Sequence, residues 1–170
     1  MIGIMTPRLK IVPFDMKYLD FYFREWNEEI TRYQYPDPYS SIEDARMSLQ
    51  NFIDEMEREE TLFLTILKRD NDVPIGGFEV HGLKEDVPEL GVWIEKAAWK
   101  KGYASEALEH MLSFLKCHYP KECYLYEADV RNEPSMRMVS HLSHEKKELD
   151  EFTTESGKEL QLQQFYVSLR

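Results

Sequence analysis

The sequence is short of cysteine, of positive charge and of long apolar runs, and each shortage excludes something. The two cysteines, Cys117 and Cys123, fit neither a CxxC site nor a disulfide framework. They are expected to be reduced, buried thiols. Lys and Arg number 21 against 32 Asp and Glu, a formal net charge of −11. A chain of that sign has no electrostatic hold on a phosphate backbone, so nucleic acid is not an expected partner. Its field attracts amines, basic peptides and polyamines instead. No apolar run approaches the ~18 residues of a membrane span. Residues 1–7 lack a basic stretch followed by an apolar core, so no secretory signal is expected. The expected compartment is the cytoplasm, with no membrane partner.

What is present suits one domain, residues 1–170. Folding at that length buries roughly 70% of the unfolded chain's surface, so neither a disulfide nor a metal is needed, and no metal is expected. Hydrophobic residues make up 42% and aromatics 13%, which argues against disorder.

Residues 9–12 read as an opening strand. Pro13 and Asp15 end it and introduce a helix over 16–27, with Leu19, Phe23 and Trp26 on one face. Pro36 and Pro38 then exclude a regular helix. The three tyrosines of that loop, Tyr33, Tyr35 and Tyr39, either cap the core or form a contact surface for substrate. Ser41 looks like an N-cap with Asp44 three positions on, opening a helix to about residue 57. Ala45, Leu49, Phe52 and Ile53 point inward on it. Residues 62–67 and 74–81 flank the turn residues Asp70, Asn71 and Asp72 and read as a hairpin. A third strand follows at 89–94, where Gly91 suggests a bulge or a close backbone approach. Ala104, Ala107, Leu108, Met111, Leu112 and Leu115 recur at helical spacing. Strand 122–130, a short helix at 134–142 and a strand pair at 145–151 and 159–169 complete a mixed α/β order.

The strongest local feature is strand 89–94, then Trp99-Lys100-Lys101-Gly102-Tyr103-Ala104, then a helix. A helix N-terminus offers unpaired N–H groups and about half a positive charge. A glycine lets the backbone approach a phosphate, and two lysines help. The spacing is neither GxxxxGK(S/T) nor GxGxxG. On physics alone, an ordinary helix start explains one glycine before a helix better than a ligand site does.

Several segments act together. They are Thr6-Pro7-Arg8-Leu9-Lys10-Ile11, Ser40-Ser41-Ile42-Glu43-Asp44-Ala45-Arg46, Ile75-Gly76-Gly77, Glu89-Leu90-Gly91-Val92-Trp93-Ile94, the turn from Trp99 on, and Asn132-Glu133-Pro134-Ser135. In this order and separation the chain resembles, over nearly its whole length, the GNAT superfamily of N-acetyltransferases and its RimJ/RimL-like branch. The resemblance implies an α+β fold of three layers: a central, mostly antiparallel sheet with splayed central strands and helices on both faces. It implies acetyl-CoA as cosubstrate. Gly102 and Ala104 match the pyrophosphate loop Q/R-x-x-G-x-G/A, with Trp99 at its first position as is frequent in this branch. Lys100 stands where glycine is common, which stiffens the turn.

By the same resemblance, backbone N–H groups of Lys100, Lys101, Gly102, Tyr103 and Ala104 hold the pyrophosphate. Val92, Trp93 and Ile94 pair with the pantetheine amides. Asn132 and Ser135 match N-x-x-S/A: Asn132 bonds the CoA arm, and Ser135 contacts the sulfur and returns a proton to the thiolate. Asn132 also suits a helix cap. Arg131 and Arg137 are further cationic candidates for the donor. The family's usual acid, a tyrosine seven residues past the asparagine, is replaced by Val139. The closing Leu-Gly-Phe is replaced by Leu142-Ser143-His144, where His144 is either catalytic or a surface histidine.

Transfer requires a neutral amine. At pH 7 deprotonation costs about 1.4 kcal/mol for an α-amine and about 4.6 for a lysine-type amine. Glu79, Glu89 and His81 are the candidate bases; for either carboxylate a solvated strand residue is the plainer reading. Tyr33, Tyr35 and Tyr39 belong to the acceptor side. The expected acceptor is a primary amine, first a protein or peptide N-terminus. A polyamine or other small cationic amine is the alternative. A CoA-binding sensor without turnover and a purely structural domain are the non-enzymatic readings. Monomer and homodimer both remain open.

Overall fold

The computed structural model describes residues 3–169. Residues 1, 2 and 170, at the ends of the expected 1–170 unit and of the expected signal-free start, lie outside them. Among the described residues eight strands form one sheet, in the order β1-β2-β3-β4-β5-β6-β8-β7. They are β1 (Ile4–Met5), β2 (Leu9–Pro13), β3 (Thr61–Lys68), β4 (Pro74–His81), β5 (Glu89–Ile94), β6 (Cys123–Asp129), β7 (His144–Thr153) and β8 (Glu159–Ser168). Every neighbouring pair is antiparallel except β5 and β6. Helices α1 (Leu19–Glu25) and α2 (Ile42–Glu57) pack on one face, α3 (Tyr103–His118) and α4 (Glu133–Ser140) on the other. The expected α+β architecture with helices on both faces is found.

Two cores follow from the two faces. Leu9, Ile11, Leu64, Ile66, Ile75, Phe78 and Val80 meet Leu108, Met111 and Leu115 of α3. On the other face Phe14, Leu19, Tyr22, Trp26, Leu49, Phe63 and Trp93 interlock. Phe52 of α2 stacks on Phe63 with ring centroids 4.2 Å apart. β3 is covered from both sides, which is why its residues are almost continuously apolar rather than alternating.

The helix starts are chemically specified. Ser41 Oγ accepts from the Asp44 N–H at 3.1 Å. Asp44 reaches back one residue further than a capping box does, accepting from the Ser40 N–H at 3.0 Å. Asn132 Oδ1 accepts from the Ser135 N–H, with Pro134 in the first turn of α4.

Several expectations are corrected. Segment 16–27 is a 3-10 turn over Met16–Tyr18, capped by Asp15, followed by the short α1. Its buried side chains are Leu19, Phe21 and Tyr22, while Phe23 faces outward. At about 100° per residue, Phe21, Tyr22 and Leu19 follow one another around an arc of about 160°, and Phe23, about 40° beyond Leu19, falls past its edge. Another 3-10 turn, Ile30–Tyr33, opens the tyrosine loop. Gly91 carries no bulge: it pairs in regular register with Glu79. The register shifts lie instead at Ile66/Leu67 and Lys146/Leu149. Cys117 is exposed and Cys123 half-buried; Cys117 sits on the solvent side of α3, away from its Leu108–Met111–Leu115 stripe.

Candidate active site

The sheet forks where its one parallel pair begins to part. β5 and β6 are joined only at Glu89–Leu125 and Leu90–Tyr126. β5 continues through Gly91 to Ile94, and β6 through Glu127 to Asp129, with no further pair between them. β4 still holds the far edge of β5, pairing Gly76 through Glu79 with Ile94 through Gly91. The opposite edge of residues 91–94 therefore keeps backbone donors and acceptors available for an extended ligand.

Two clefts meet at this fork. One, about 340 Å³, lies on the α1/α2 face and is lined by Glu79, His81, Glu89, Gly91, Glu127 and Trp26 among others. The second, about 860 Å³, runs between the residue 99–104 turn and α4. Tyr33, Gln34, Val92, Trp93, Asn132 and Ser135 line both. The passage between the strands thus links an acidic cleft on one face to a basic-rimmed cleft on the other.

The turn has the backbone geometry that an anion needs. Gly102 sits at φ 78°, ψ 12°, ahead of α3 without a side-chain cap. The first α3 bond is Glu106 N–H to Gly102 O, at 3.1 Å. From Lys100 to Ser105 no backbone N–H meets an acceptor among the described residues. Such a run of free donors at a helix N-terminus suits a phosphate group. Lys100 is also left-handed, at φ 60°. A lysine there carries strain that a glycine would not, which gives the expected stiffness a structural form.

A distant arginine holds the turn in place. Arg8 Nε donates to Glu106 Oε2 at 2.7 Å, and its Nη1 donates to Lys101 O at 2.8 Å. The guanidinium also lies over the Tyr103 ring, 4.5 Å from its centroid. Burial works against the Glu106 carboxylate, but Thr6 and Arg8 hold its pKa below the usual range. Trp99 Nε1 donates to Ile94 O at 2.7 Å, tying the turn to the end of β5. Lys101 Nζ is engaged with Ala97 O, while Lys100 has no ion pair among the described residues. Arg131 is committed to the fully buried Asp129, with bonds of 2.8 and 2.7 Å. Its charge is therefore neutralised locally. Arg137 lines the larger cleft and has no such partner among the described residues.

In the acidic cleft, strand register puts the titratable groups on one face. Phe63, Glu79 and Gly91 lie side by side, as do Thr61, His81 and Glu89. Glu79 Oε2 bonds His81 Nε2 at 2.8 Å. Burial opposes the imidazolium, yet Glu79's hydrogen bond and charge, with Glu89 and Glu55 behind, carry His81 above the ordinary histidine value. Tyr35 Oη donates towards Glu89 Oε1 at 2.9 Å and Glu127 Oε1 at 3.1 Å. Burial and the charge of Glu127 raise the Glu89 pKa, against the bond from Tyr35. A β-carbon built on Gly91 would lie 3.8 Å from Glu79 Oε2. Glu79 therefore stands over the first residue beyond the last β5–β6 pair, at the fork itself.

The tyrosines divide their labour. Tyr35 reaches into the acidic cleft and packs on Phe152 of β7, 4.7 Å between centroids. Tyr33 lines both clefts and carries the Arg131 guanidinium on its ring. Tyr39 packs against the α1/α2 core and caps it. Lys158 and Asp37 strap this loop to the β7–β8 turn through Thr31 O, Gln34 O and Ser156. His144 stays exposed, bonded to Leu142 O, away from both clefts. Trp93's ring belongs to the core, stacked on Phe21, so its backbone rather than its side chain faces the fork.

Four residues of this neighbourhood are not marked as site residues by the sequence. Tyr126 and Glu127 alternate like any half-buried strand. Arg8 meets its partner Glu106 only in three dimensions. Trp26 reads as core; its Nε1 is buried and has no hydrogen-bond partner among the described residues.

This architecture has known relatives. Residues 8–143 match the family described as acetyltransferase (GNAT) domain. The chain belongs to the GNAT acetyltransferase family. An uncharacterized N-acetyltransferase p20 of Bacillus licheniformis is 25% identical over 150 residues, 86% of this chain and 84% of that one. Among solved structures, a ribosomal alpha-N-protein acetyltransferase, RimL, in complex with coenzyme A superposes with a TM-score of 0.82 at 14% identity, covering 97% and 96% of the two chains. A spermidine N-acetyltransferase from Vibrio cholerae, in complex with CoA and spermine, gives 0.81 at 14% identity, covering 95% of each. As a GNAT enzyme the protein is an acyltransferase that takes its acetyl group from acetyl-CoA. Among the described residues no three His, Cys, Asp or Glu are grouped to hold a metal, and no helix is long and apolar enough to cross a membrane.

Proposed function

We propose that the protein acetylates a primary amine, with the donor lying in the α3/α4 cleft and the amine entering from the acidic cleft. The observation that carries this reading is the fork, which joins the two clefts at Asn132, Ser135, Val92 and Trp93. The unpaired N–H run from Lys100 to Ser105 holds the pyrophosphate, and the free edge of β5 from Val92 to Ile94 carries the pantetheine amides. Glu79, at the fork, takes the proton from the attacking nitrogen directly or through water. Glu89, bound to Tyr35 beside Glu127, orients the acceptor rather than acting as the base. Holding amine and thioester together supplies much of the rate.

The acceptor we favour is the N-terminal amine of a protein or peptide. An α-amine costs about 1.4 kcal/mol to deprotonate at pH 7, against about 4.6 for a lysine-type amine, a demand that the single carboxylate of Glu79 at the fork can meet. The second reading, a small polycation, rests on Glu79, Glu89 and Glu127 facing one cleft with one histidine. Relatives of both kinds exist at 14% identity, so likeness does not choose between them. Thiol release from acetyl-CoA is the deciding measurement, with short peptides, N-acetylated peptides, spermidine and simple alkylamines as acceptors. Turnover with free-N-terminal peptides alone supports the first reading, and turnover with spermidine alone supports the second. Release with none of them would overturn both.

For the donor, Lys100→Ala is expected to weaken acetyl-CoA binding by about 3–10-fold at low salt and to flatten its salt dependence. Lys101→Ala should do less, because its ammonium is already held by Ala97 O. Calorimetric titration at two ionic strengths checks this, and equal effects of the two substitutions would contradict it.

A further inference from the structure

We propose that Tyr126 is a positioning residue for acetyl transfer: its phenol fixes the Ser135 hydroxyl so that the serine proton points into the passage between the two clefts, towards the departing sulfur. The proposal rests on the reading of the fork given above.

Tyr126 Oη and Ser135 Oγ are 2.6 Å apart. Only one hydrogen can lie between two such oxygens, so direction decides what the pair can do. Tyr126 is 3% exposed, and Ser135 is its hydrogen-bond partner among the described residues. If Ser135 donated to it, the phenol proton would be buried without an acceptor, a state that folded proteins avoid. If Tyr126 donates, every proton is placed: the serine's turns towards the open cleft. Burial keeps the phenol protonated, its pKa pushed up to about 12 against the pull of Ser135.

Two other helix serines spend their proton on the backbone, while Ser48 and Ser105, like Ser135, do not among the described residues. Ser113 gives its proton to Glu109 O and Ser140 gives its to Arg137 O, the usual use of a hydroxyl inside a helix. Ser135 makes no such bond among the described residues. It lines both clefts, one turn into a helix whose N-cap is Asn132. Its hydroxyl is therefore free of the backbone, anchored from behind and open in front.

The chemistry balances without a general acid. The amine nitrogen forms a bond to the acetyl carbon, and the carbon–sulfur bond breaks with its electron pair on sulfur. The nitrogen's surplus proton leaves through Glu79 or water. Ser135 donates a hydrogen bond to the developing thiolate and keeps its proton, since a thiol with pKa near 8.5 is much the stronger acid. Water protonates the thiolate after release. A donor aimed in advance at developing charge is the most effective form of such help. The two hydroxyls, one on β6 and one on α4, thus stabilise the departing sulfur by hydrogen bonding where Val139 leaves no tyrosine acid.

Steady-state kinetics and acetyl-CoA titration on Tyr126→Phe, Ser135→Ala and the double variant test this. Ser135→Ala should lower kcat about 100-fold, the usual loss of one such donor. Tyr126→Phe should lower it about 10-fold, as expected for one neutral hydrogen bond. The double variant should match Ser135→Ala alone, with the dissociation constant for acetyl-CoA unchanged throughout. Losses that multiply, a Tyr126→Phe effect confined to KM, or a wild-type kcat in Tyr126→Phe would overturn the proposal while leaving the amine acetylation intact. Absence of turnover by the wild type on the whole amine panel would overturn both. Should Tyr126→Phe fail to fold, Tyr126→3-fluorotyrosine keeps the shape and strengthens the donor: kcat should hold or rise, and a fall would refute the proposal.

Discussion

Gly102→Val is expected to weaken acetyl-CoA binding by about 100-fold. Space is not the reason. A β-carbon on Gly102 would meet Arg8 Nη2 at 3.5 Å, an ordinary contact. The reason is the backbone: φ is 78°, a region that a β-branched residue enters at a cost of about 1–3 kcal/mol. The chain has two responses. It can keep the turn and lose stability, about 2–4 °C of Tm per kcal/mol at this size. Or it can rotate the peptide units on either side and turn their N–H groups away from the anion. Arg8 opposes the second response by holding Lys101 O and Glu106, so both effects should be visible together. Calorimetric titration and a thermal melt of the same sample measure them. A melt lowered by several degrees with unchanged affinity would separate the turn from the donor site. Gly102→Ala should fall between wild type and Gly102→Val. Lys100→Gly should raise Tm, because φ 60° at Lys100 is strained for lysine and free for glycine.

The contrast between Gly102 and Arg8 marks what was readable in the sequence. Gly102 stands between a strand and a periodic helix, and a local pattern of that kind survives folding. So do the α2 cap at Ser41, the hairpin around Asp70 to Asp72, and the helix that begins at Asn132. Each depends on contacts a few residues apart. The partnership of Arg8 with Glu106 spans the sheet and leaves no local trace. The acidic cleft is a similar case. Glu79, Glu89 and Glu127 sit on three strands, and alternation alone cannot tell a carboxylate facing a cleft from one facing water. Only the register, with Glu79 opposite Gly91 and the last β5–β6 pair at Leu90 and Tyr126, places Glu79 at the fork and Glu89 short of it. Tyr126 is hidden for the opposite reason. A tyrosine on an apolar strand reads as core, and it is core; its single polar atom is paired with Ser135 of α4 beside the gap. The β7–β8 pair was legible as two strands, but its contact with the tyrosine loop through Phe152, Ser156 and Lys158 was not.

Glu79→Gln should cost about 100-fold in kcat/KM at pH 7, within the range for loss of a general base, and leave acetyl-CoA affinity unchanged. The amide keeps the size and the partner His81 but cannot take a proton. The variant then depends on amine already neutral in solution. That fraction rises tenfold per pH unit up to the acceptor's pKa, near 8 for an α-amine and above 10 for a lysine-type amine. The gap between variant and wild type should therefore close as pH rises. The pH at which it stops closing reports the acceptor's pKa, and so discriminates a peptide N-terminus from an alkylamine. His81 supplies an independent check through stability. Its pKa is raised in the folded protein, chiefly by Glu79 acting against burial. A raised histidine stabilises the fold below its unfolded value, near 6.5, and loses that contribution as pH climbs through the folded value. Removing the carboxylate removes that contribution. Glu79→Gln should accordingly be less stable than wild type at pH 5–6 and approach it at pH 8. Glu89→Gln, further from the fork, should act mainly on KM for the amine. A rate loss in Glu89→Gln that exceeded the loss in Glu79→Gln, with the same closing gap at high pH, would move the base from the fork to the Tyr35–Glu127 side of the cleft.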